Sequence, residues 1–292
     1  MSFDPTELVV YIDGNYVDGA TASVSIWDHG LLYGDGVFEG LRVFGGSLFR
    51  PCDHLARLDR SARAIGLEVP LDADELLEVI CEVVRRSRLR DAHVRAIVTR
   101  GVGMPRLDPL GCERSTLIVA AYPLQPSLGT DPIRVLVSSV VRKAPRSVGA
   151  HVKSLNYLDN VIAKQQATAA GMHDAVMLDH LGAVAECTST NIFLVTGSEL
   201  VTTTTRSALP GITLLTIIEI AQERGTPILE RDVWPTELYQ ADAVFLTGSA
   251  AGIVSVAEVD GHALPGDPLV GELSAAYRER TRDPSYLVEV NP

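Results

Sequence analysis

The sequence predicts an α+β fold in two domains. Three observations carry this reading. Strands and helices fall in separate runs instead of alternating strictly, hairpin signals recur, and one proline-rich stretch divides the chain. A chain of 292 residues, 46% hydrophobic and 21% charged, has apolar side chains enough for two cores, and this composition excludes wholesale disorder.

The first domain is expected over residues 1–122. Val9–Val17 reads as a hairpin turning at Asp13-Gly14. Gly34, Gly36 and Gly40 break up the stretch 33–42, so a strand is expected only over 40–44. Residues 53–65 place Leu55, Leu58, Ala62 and Ile65 on one helical face, with Asp53 as the expected N-cap. A second amphipathic helix over 72–88 and strands over 93–100 and 115–122 follow. The linker is set at 123–132, because three prolines and a glycine within 122–132 forbid regular structure there. The second domain, 133–292, should hold a strand at 133–141, a helix at 156–170 and a hairpin with arms 175–179 and 183–186. A strand at 191–195, a helix at 212–224 and a strand at 243–246 follow.

A net charge of −12 excludes a broad nucleic-acid surface, since phosphate binding needs clustered Lys and Arg. No apolar run approaches the roughly 20 residues of a membrane span, and Met-Ser-Phe-Asp lacks the features of a signal peptide. Cys52, Cys81, Cys112 and Cys187 are scattered without a CxxC pair. Reduced thiols in a cytoplasmic protein, with no metal site, are therefore expected.

The chain has three lysines against 22 arginines. Lys143 and Lys164 stand in surface-like contexts, whereas Lys153 sits in His-Val-Lys-Ser-Leu-Asn-Tyr, where strand gives way to helix. Lys153 is read either as a solvated loop lysine or as a Schiff-base lysine, and it is the best of the three for the second role. Leu209-Pro-Gly-Ile-Thr213 opens into a helix whose N-terminus can take a phosphate, and Leu246-Thr-Gly-Ser-Ala-Ala251 adds hydroxyls beside a flexible turn. Glu186 is either an edge carboxylate facing water or a carboxylate kept ionised by a cofactor cation.

Four ordered segments then carry a resemblance: Tyr33-Gly-Asp-Gly-Val-Phe-Glu-Gly40, Lys153-Ser-Leu-Asn-Tyr157, Glu186-Cys-Thr-Ser-Thr-Asn-Ile-Phe193 and Leu209-Pro-Gly-Ile-Thr213. Over nearly its whole length, from Tyr11 to about Ala257, the chain resembles the fold-type IV pyridoxal-phosphate enzymes. These include the branched-chain amino acid aminotransferases, the D-amino acid aminotransferases and the aminodeoxychorismate lyases. The resemblance implies pyridoxal 5′-phosphate held between two α+β domains, and a homodimer or higher homo-oligomer. Tyr33 and the loop 101–109 would lie near the subunit boundary. It implies that Lys153 binds the cofactor and shuttles the proton, and that Glu186 pairs with the pyridine nitrogen. By the same resemblance, Arg57, Ile212, Thr213 and Ser249 would take the phosphate, and Tyr157 would stand near the ring hydroxyl.

The implied reaction is ping-pong transfer of an amino group between branched-chain L-amino acids and 2-oxoglutarate. Tyr33, Phe38, Arg95 and Ala250 match the substrate pocket. Arg95 is expected to bind the second carboxylate of glutamate; a solvent-facing strand arginine is the alternative. Arg100, in Thr-Arg-Gly, matches the carboxylate-binding arginine of D-amino acid aminotransferases and keeps that activity, or (R)-amine transamination, open. A lyase is a further alternative. His93 stands where many branched-chain enzymes have tyrosine, and 123–127 lacks their aromatic rings, so a wider pocket is expected.

Overall fold

In the computed structural model, which describes residues 5–6, 8–124, 128 and 131–290, the chain divides into two units. One comprises Met1–Gln125, Val152–Asn156 and Thr281–Pro292; the other comprises Pro126–His151 and Tyr157–Arg280. The expected boundaries, 1–122, 123–132 and 133–292, treat each domain as one continuous stretch. The structure differs by returning the Lys153 segment and the C-terminal residues to the first unit. Within the expected linker, residues 125–127, 129 and 130 lie outside the described residues.

The first unit begins with β1 (Val9–Ile12) and β2 (Asn15–Asp18), joined by a turn in which Asp13 and Gly14 have φ of 46° and 91°. Positive φ at both positions is what a type I′ hairpin turn requires. A short helix, α1 (His29–Tyr33), is capped by the Asp28 side chain, which accepts from Gly30 N. β3 (Gly36–Phe44) runs unbroken through Gly36 and Gly40, so the expected interruption by glycine does not occur. After β4 (Ser47–Phe49) comes α2 (Pro51–Ala64). Its N-cap is Arg50 and not Asp53: Pro51 fixes the start, and Asp53 in the first turn pairs with the Arg50 side chain. α3 (Ala73–Arg86) opens on a capping box between Asp72 and Glu75.

β5 (Ala92–Thr99) and β6 (Thr116–Pro123) complete the sheet, whose order is β2-β1-β6-β5-β3-β4 with a closing strand, Leu287–Glu289, on β4. All its pairings are antiparallel. Alternation gives the sheet two faces. Val37, Glu39, Leu41, Val94, Ala96 and Val98 are wholly buried on the face that α2 and α3 cover. Each such aliphatic contributes roughly 1.5–3 kcal/mol by leaving water. The opposite face carries Phe38, Gly40, Arg42, His93 and Arg95.

The second unit is a mixed sheet: β7 (Ile133–Val141), β8 (Asp174–Leu178), β9 (Val184–Cys187), β10 (Asn191–Thr196), β11 (Glu199–Thr202), β12 (Ile228–Glu230), β13 (Ala243–Gly248), β14 (Gly252–Val259) and β15 (His262–Ala263). Their order is β12-β11-β10-β13-β14-β7-β8-β9, with β15 on β14. α4 (Leu158–Ala169) and α5 (Ile212–Glu223) are the crossovers that make β7–β8 and β11–β12 parallel. α6 (Pro235–Gln240) and α7 (Pro268–Arg280) complete the unit. Phe193 and Phe245 stack at 4.9 Å in its core. No helix of the described residues is long and apolar enough to cross a membrane.

Candidate active site

Lys153 lies on a segment docked along β3. Phe38 N donates to Lys153 O and Leu155 N to Gly36 O, each at 2.9 Å, and Val37 and Ser154 form an antiparallel bridge. Lys153 N donates to Ser61 Oγ on α2 at 3.1 Å. A Cβ on residue 36 would meet Leu155 Cδ1 and Val98 O at 2.7 Å, so the close docking depends on glycine. With the main chain fixed, Lys153 Nζ sits 4.7 Å from the Phe38 ring centroid.

The same ring receives a second cation. Arg95 Cζ lies 4.5 Å from the Phe38 centroid, and Arg95 makes no hydrogen bond or ion pair among the described residues. Arg100 is differently placed. Its Nε and Nη2 grip the two oxygens of Asp35 at 3.0 Å each, while Nη2 and Nη1 donate to Ile65 O and Gly66 O at 2.8 and 2.5 Å. Those contacts tie the end of β5 to the turn after α2, and they leave Arg100 committed to the fold. Tyr33 ends α1 with its ring edge-on to His29, centroids 5.0 Å apart.

On the helix-covered face, Arg57 is not a loose surface cation. Its Nε and Nη2 donate to Glu39 Oε1 and Oε2 at 2.6 and 2.9 Å, and His54 Nδ1 lies 2.7 Å from Oε2. Burial opposes the charge on Glu39, but Arg57 and His54 more than offset it and hold the carboxyl far below its usual range. Burial likewise pushes the His54 pKa down, against the pull of Glu39. The bidentate fork fixes the plane of the guanidinium.

In the second unit, Glu186 lies in β9, 5% exposed, and therefore does not face water as an edge carboxylate. Arg142, just past β7, donates from Nε and Nη2 to Oε1 at 2.8 and 2.7 Å. Leu209 N donates to Oε2 at 3.0 Å, and Asn191 Nδ2 approaches it at 3.5 Å while bonding Leu209 O at 2.8 Å. Burial lowers and Glu186 raises the Arg142 pKa, with a net increase, so the guanidinium keeps its charge beside the carboxyl group. Arg142 and Lys143 both stand over the Tyr157 ring, at 5.8 and 5.3 Å. Lys143 also pairs with Asp159 at 3.6 Å, and its side chain is only 20% exposed, which corrects its surface assignment. Lys164 is 41% exposed on α4.

The turn held by Glu186 and Asn191 leads into α5. Gly211 is the N-cap and provides no side-chain cap, so the first N–H groups, at Ile212 and Thr213, are not taken by a capping side chain. A Cβ at 211 would fall 2.1 Å from Asn191 Oδ1, so glycine is required. Thr190 and Thr247, beside the ends of β10 and β13, have buried hydroxyls without hydrogen-bond partners. Ser249 and Ala250 follow on the half-buried turn out of β13.

These features fit pyridoxal 5′-phosphate. A protonated pyridine nitrogen needs an ionised carboxylate, and Oε2 of Glu186 has one donor at the limiting distance that can yield to it. A phosphate needs N–H and hydroxyl donors, which the α5 terminus and the orphaned threonines supply. Sequence reasoning missed Glu39, His54, Arg142 and Asn191. A glutamate in a core strand requires a buried cation, and that requirement was the available signal for Arg142.

The class IV amino-transferase family model matches residues 36–259. The putative branched-chain-amino-acid aminotransferase of Methanocaldococcus jannaschii is 43% identical over 275 residues, 94% of this chain and 95% of that one. The branched-chain aminotransferase structure from Escherichia coli superposes with a TM-score of 0.93 at 32% identity, covering 97% of this chain and 99% of that one. The T.th. branched-chain aminotransferase complexed with N-(5′-phosphopyridoxyl)-L-glutamate gives a TM-score of 0.91 at 31% identity, covering 97% and 98%.

Proposed function

Because this chain belongs to the class IV aminotransferases, we propose that it moves amino groups between branched-chain L-amino acids and 2-oxoglutarate. The observation that carries the substrate assignment is the Phe38 ring, with Lys153 Nζ at 4.7 Å and Arg95 Cζ at 4.5 Å. An apolar surface next to an uncommitted guanidinium suits both half-reactions: one substrate brings an aliphatic side chain, the other a second carboxylate.

Pyridoxal 5′-phosphate, when bound, supplies an electron sink for the carbanion left by breaking a Cα–H bond. Lys153 would hold it through Nζ and, once released, would serve as the base that carries the Cα proton. Glu186, paired with Arg142, would stand opposite the pyridine nitrogen and hold its proton. The N–H groups of Ile212 and Thr213 and the Ser249 hydroxyl would take the phosphate, and Tyr157 would bond the ring hydroxyl; Arg57 is proposed as a further phosphate ligand. In the first unit Tyr33 and Phe38 would pack the substrate side chain and Arg95 would take the distal carboxylate; Ala250 is proposed as a further substrate contact. The commitment of Arg100 to Asp35 weighs against the D-amino acid reading.

The assembly is proposed to be at least a homodimer, in the cytoplasm. Supporting the first, Trp27 before α1, Leu31 on it, and Met104, Leu107 and Leu110 in the loop 101–110 expose apolar surface. Supporting the second, the four cysteines are free thiols.

The test follows the cofactor spectrum of the holoenzyme with L-leucine, D-alanine or (R)-1-phenylethylamine. L-Leucine should convert the cofactor to its amine form; conversion by D-alanine alone would overturn the assignment.

A further inference from the structure

His29 is 1% exposed and has no part in the roles above. It opens α1, and Tyr33 ends it. Residues four apart share one side of a helix, and here the two rings meet edge-on, at an interplanar angle of 85° with centroids 5.0 Å apart. The imidazole also reaches out of the helix: its Nε2 lies 2.9 Å from Met104 O in the loop 101–110. A carbonyl oxygen only accepts, so the proton is on Nε2 and the ring donates.

The surrounding main chain prepares this contact. Asp28 accepts from Gly30 N and Thr99 Oγ1 at 2.7 and 2.9 Å, and Thr99 Oγ1 accepts from Gly101 N at 3.1 Å. His29 N donates to Gly101 O at 2.9 Å, and Gly103 N donates to Trp27 O at 3.2 Å. The start of the loop is thereby zipped to the start of α1. A Cβ at 103 would fall 3.1 Å from His29 Nε2, so glycine there lets the loop close over the imidazole. Beyond that point the loop turns outward, with Met104 58% and Leu107 82% exposed. The Met104 carbonyl accepts from both His29 Nε2 and Arg106 N, the latter at 2.7 Å, and joins the buried layer to that apolar rim.

We infer that His29 is a positioning residue that locks the Tyr33 ring to the loop 101–110 and so sets the length of aliphatic side chain the substrate pocket prefers. The inference rests on the proposed packing of Tyr33 against the substrate. An aliphatic side chain at 29 would fill the same space, but it would neither hold the Tyr33 ring edge-on nor donate to the loop. With both contacts in place, Tyr33 and the loop keep one spacing. The wall against which a branched side chain packs is then held at one depth.

The experiment uses holoenzyme with L-glutamate as common donor and compares 4-methyl-2-oxopentanoate with 2-oxobutanoate, whose side chain is shorter. His29→Leu should raise the ratio of KM for the longer acid to KM for the shorter about fivefold, the worth of one edge-to-face ring pair, with kcat little changed. His29→Gln keeps a donor for Met104 O and His29→Phe keeps a ring against Tyr33, so each should restore part of the ratio. In a Tyr33→Leu background, His29→Leu should add nothing, because it acts through that ring. An unchanged ratio in His29→Leu overturns the inference if Tyr33→Leu does raise it. If Tyr33→Leu leaves the ratio unmoved, the packing role of Tyr33 is misplaced and the inference falls with it. A loss of kcat for both acids at an unmoved ratio marks general structural damage and also overturns it. Should His29→Leu not fold, hydrogen exchange on wild-type holoenzyme decides the matter. 4-Methylpentanoate should slow exchange of the Arg106 amide, which shares the Met104 carbonyl with His29, more than butanoate does; equal slowing overturns the inference.

Discussion

Arg142 directs both Nε and Nη2, at 2.8 and 2.7 Å, onto a single oxygen of Glu186. The other oxygen is thereby reserved for the Leu209 N–H and for a further donor. Breaking a buried pair by removing one partner costs about 3–5 kcal/mol, because it strands a charge. Arg142→Met should lower stability by about that amount in urea unfolding and should weaken binding of added pyridoxal 5′-phosphate. Glu186→Gln should bind the cofactor but slow turnover on the order of a hundredfold or more, since the charge opposite the pyridine nitrogen is gone. Full-rate turnover by Glu186→Gln would remove Glu186 from the mechanism.

The Glu39–Arg57 fork predicts that acid weakens the first unit. A carboxyl depressed by folding stabilises the protein fully above its unfolded value, near 4.5, and that stability is lost progressively as pH falls from there to the lower folded value. Wild-type protein should therefore lose this contribution steadily as pH falls below about 4.5. Glu39→Gln should be less stable at neutral pH, and its urea midpoint should lack this part of the wild-type loss below about pH 4.5. It should also release cofactor more readily, because Arg57 loses its fixed plane.

Gly211→Ala tests the turn before α5. The new methyl would stand 2.1 Å from Asn191 Oδ1, so the turn or the asparagine must move. Overpacking of this kind costs about 1–3 kcal/mol. The melting temperature should fall, and affinity for free phosphate and for the cofactor should fall together. Unchanged affinity would separate this helix terminus from phosphate binding.

Arg95 and Arg100 should respond differently to the same change. Arg95→Met should raise the ratio of KM for 2-oxoglutarate to that for an apolar 2-oxo acid about tenfold or more. Arg100→Met breaks its fork with Asp35 and its bonds to Ile65 O and Gly66 O, so its main effect should be a lower melting temperature. The opposite pattern would return the carboxylate role to Arg100.

Local signals were the legible part of the sequence. Asp13-Gly14 gave its hairpin, the amphipathic run from 72 gave α3, and the 133–141 strand has the expected ends. What the sequence obscured depends on tertiary contact. Gly36 and Gly40 weaken a strand by propensity, yet one admits the Lys153 segment and the other the His93 ring, and packing overrode propensity. Asp53 resembles an N-cap, but Pro51 starts α2 earlier. Charge pairing was the least legible, because Glu39 and Arg57 are 18 residues apart and Arg142 and Glu186 are 44 apart. No local pattern joins such partners; only the topology does.

The central claim is that Lys153, and neither Lys143 nor Lys164, carries the cofactor. Borohydride reduction of the holoenzyme, followed by proteolysis and mass spectrometry, tests it most directly. The phosphopyridoxyl group should appear on the peptide containing Lys153, and Lys153→Ala should show neither label nor visible cofactor band. A label on Lys143 or Lys164, or a band that survives in Lys153→Ala, would contradict the account.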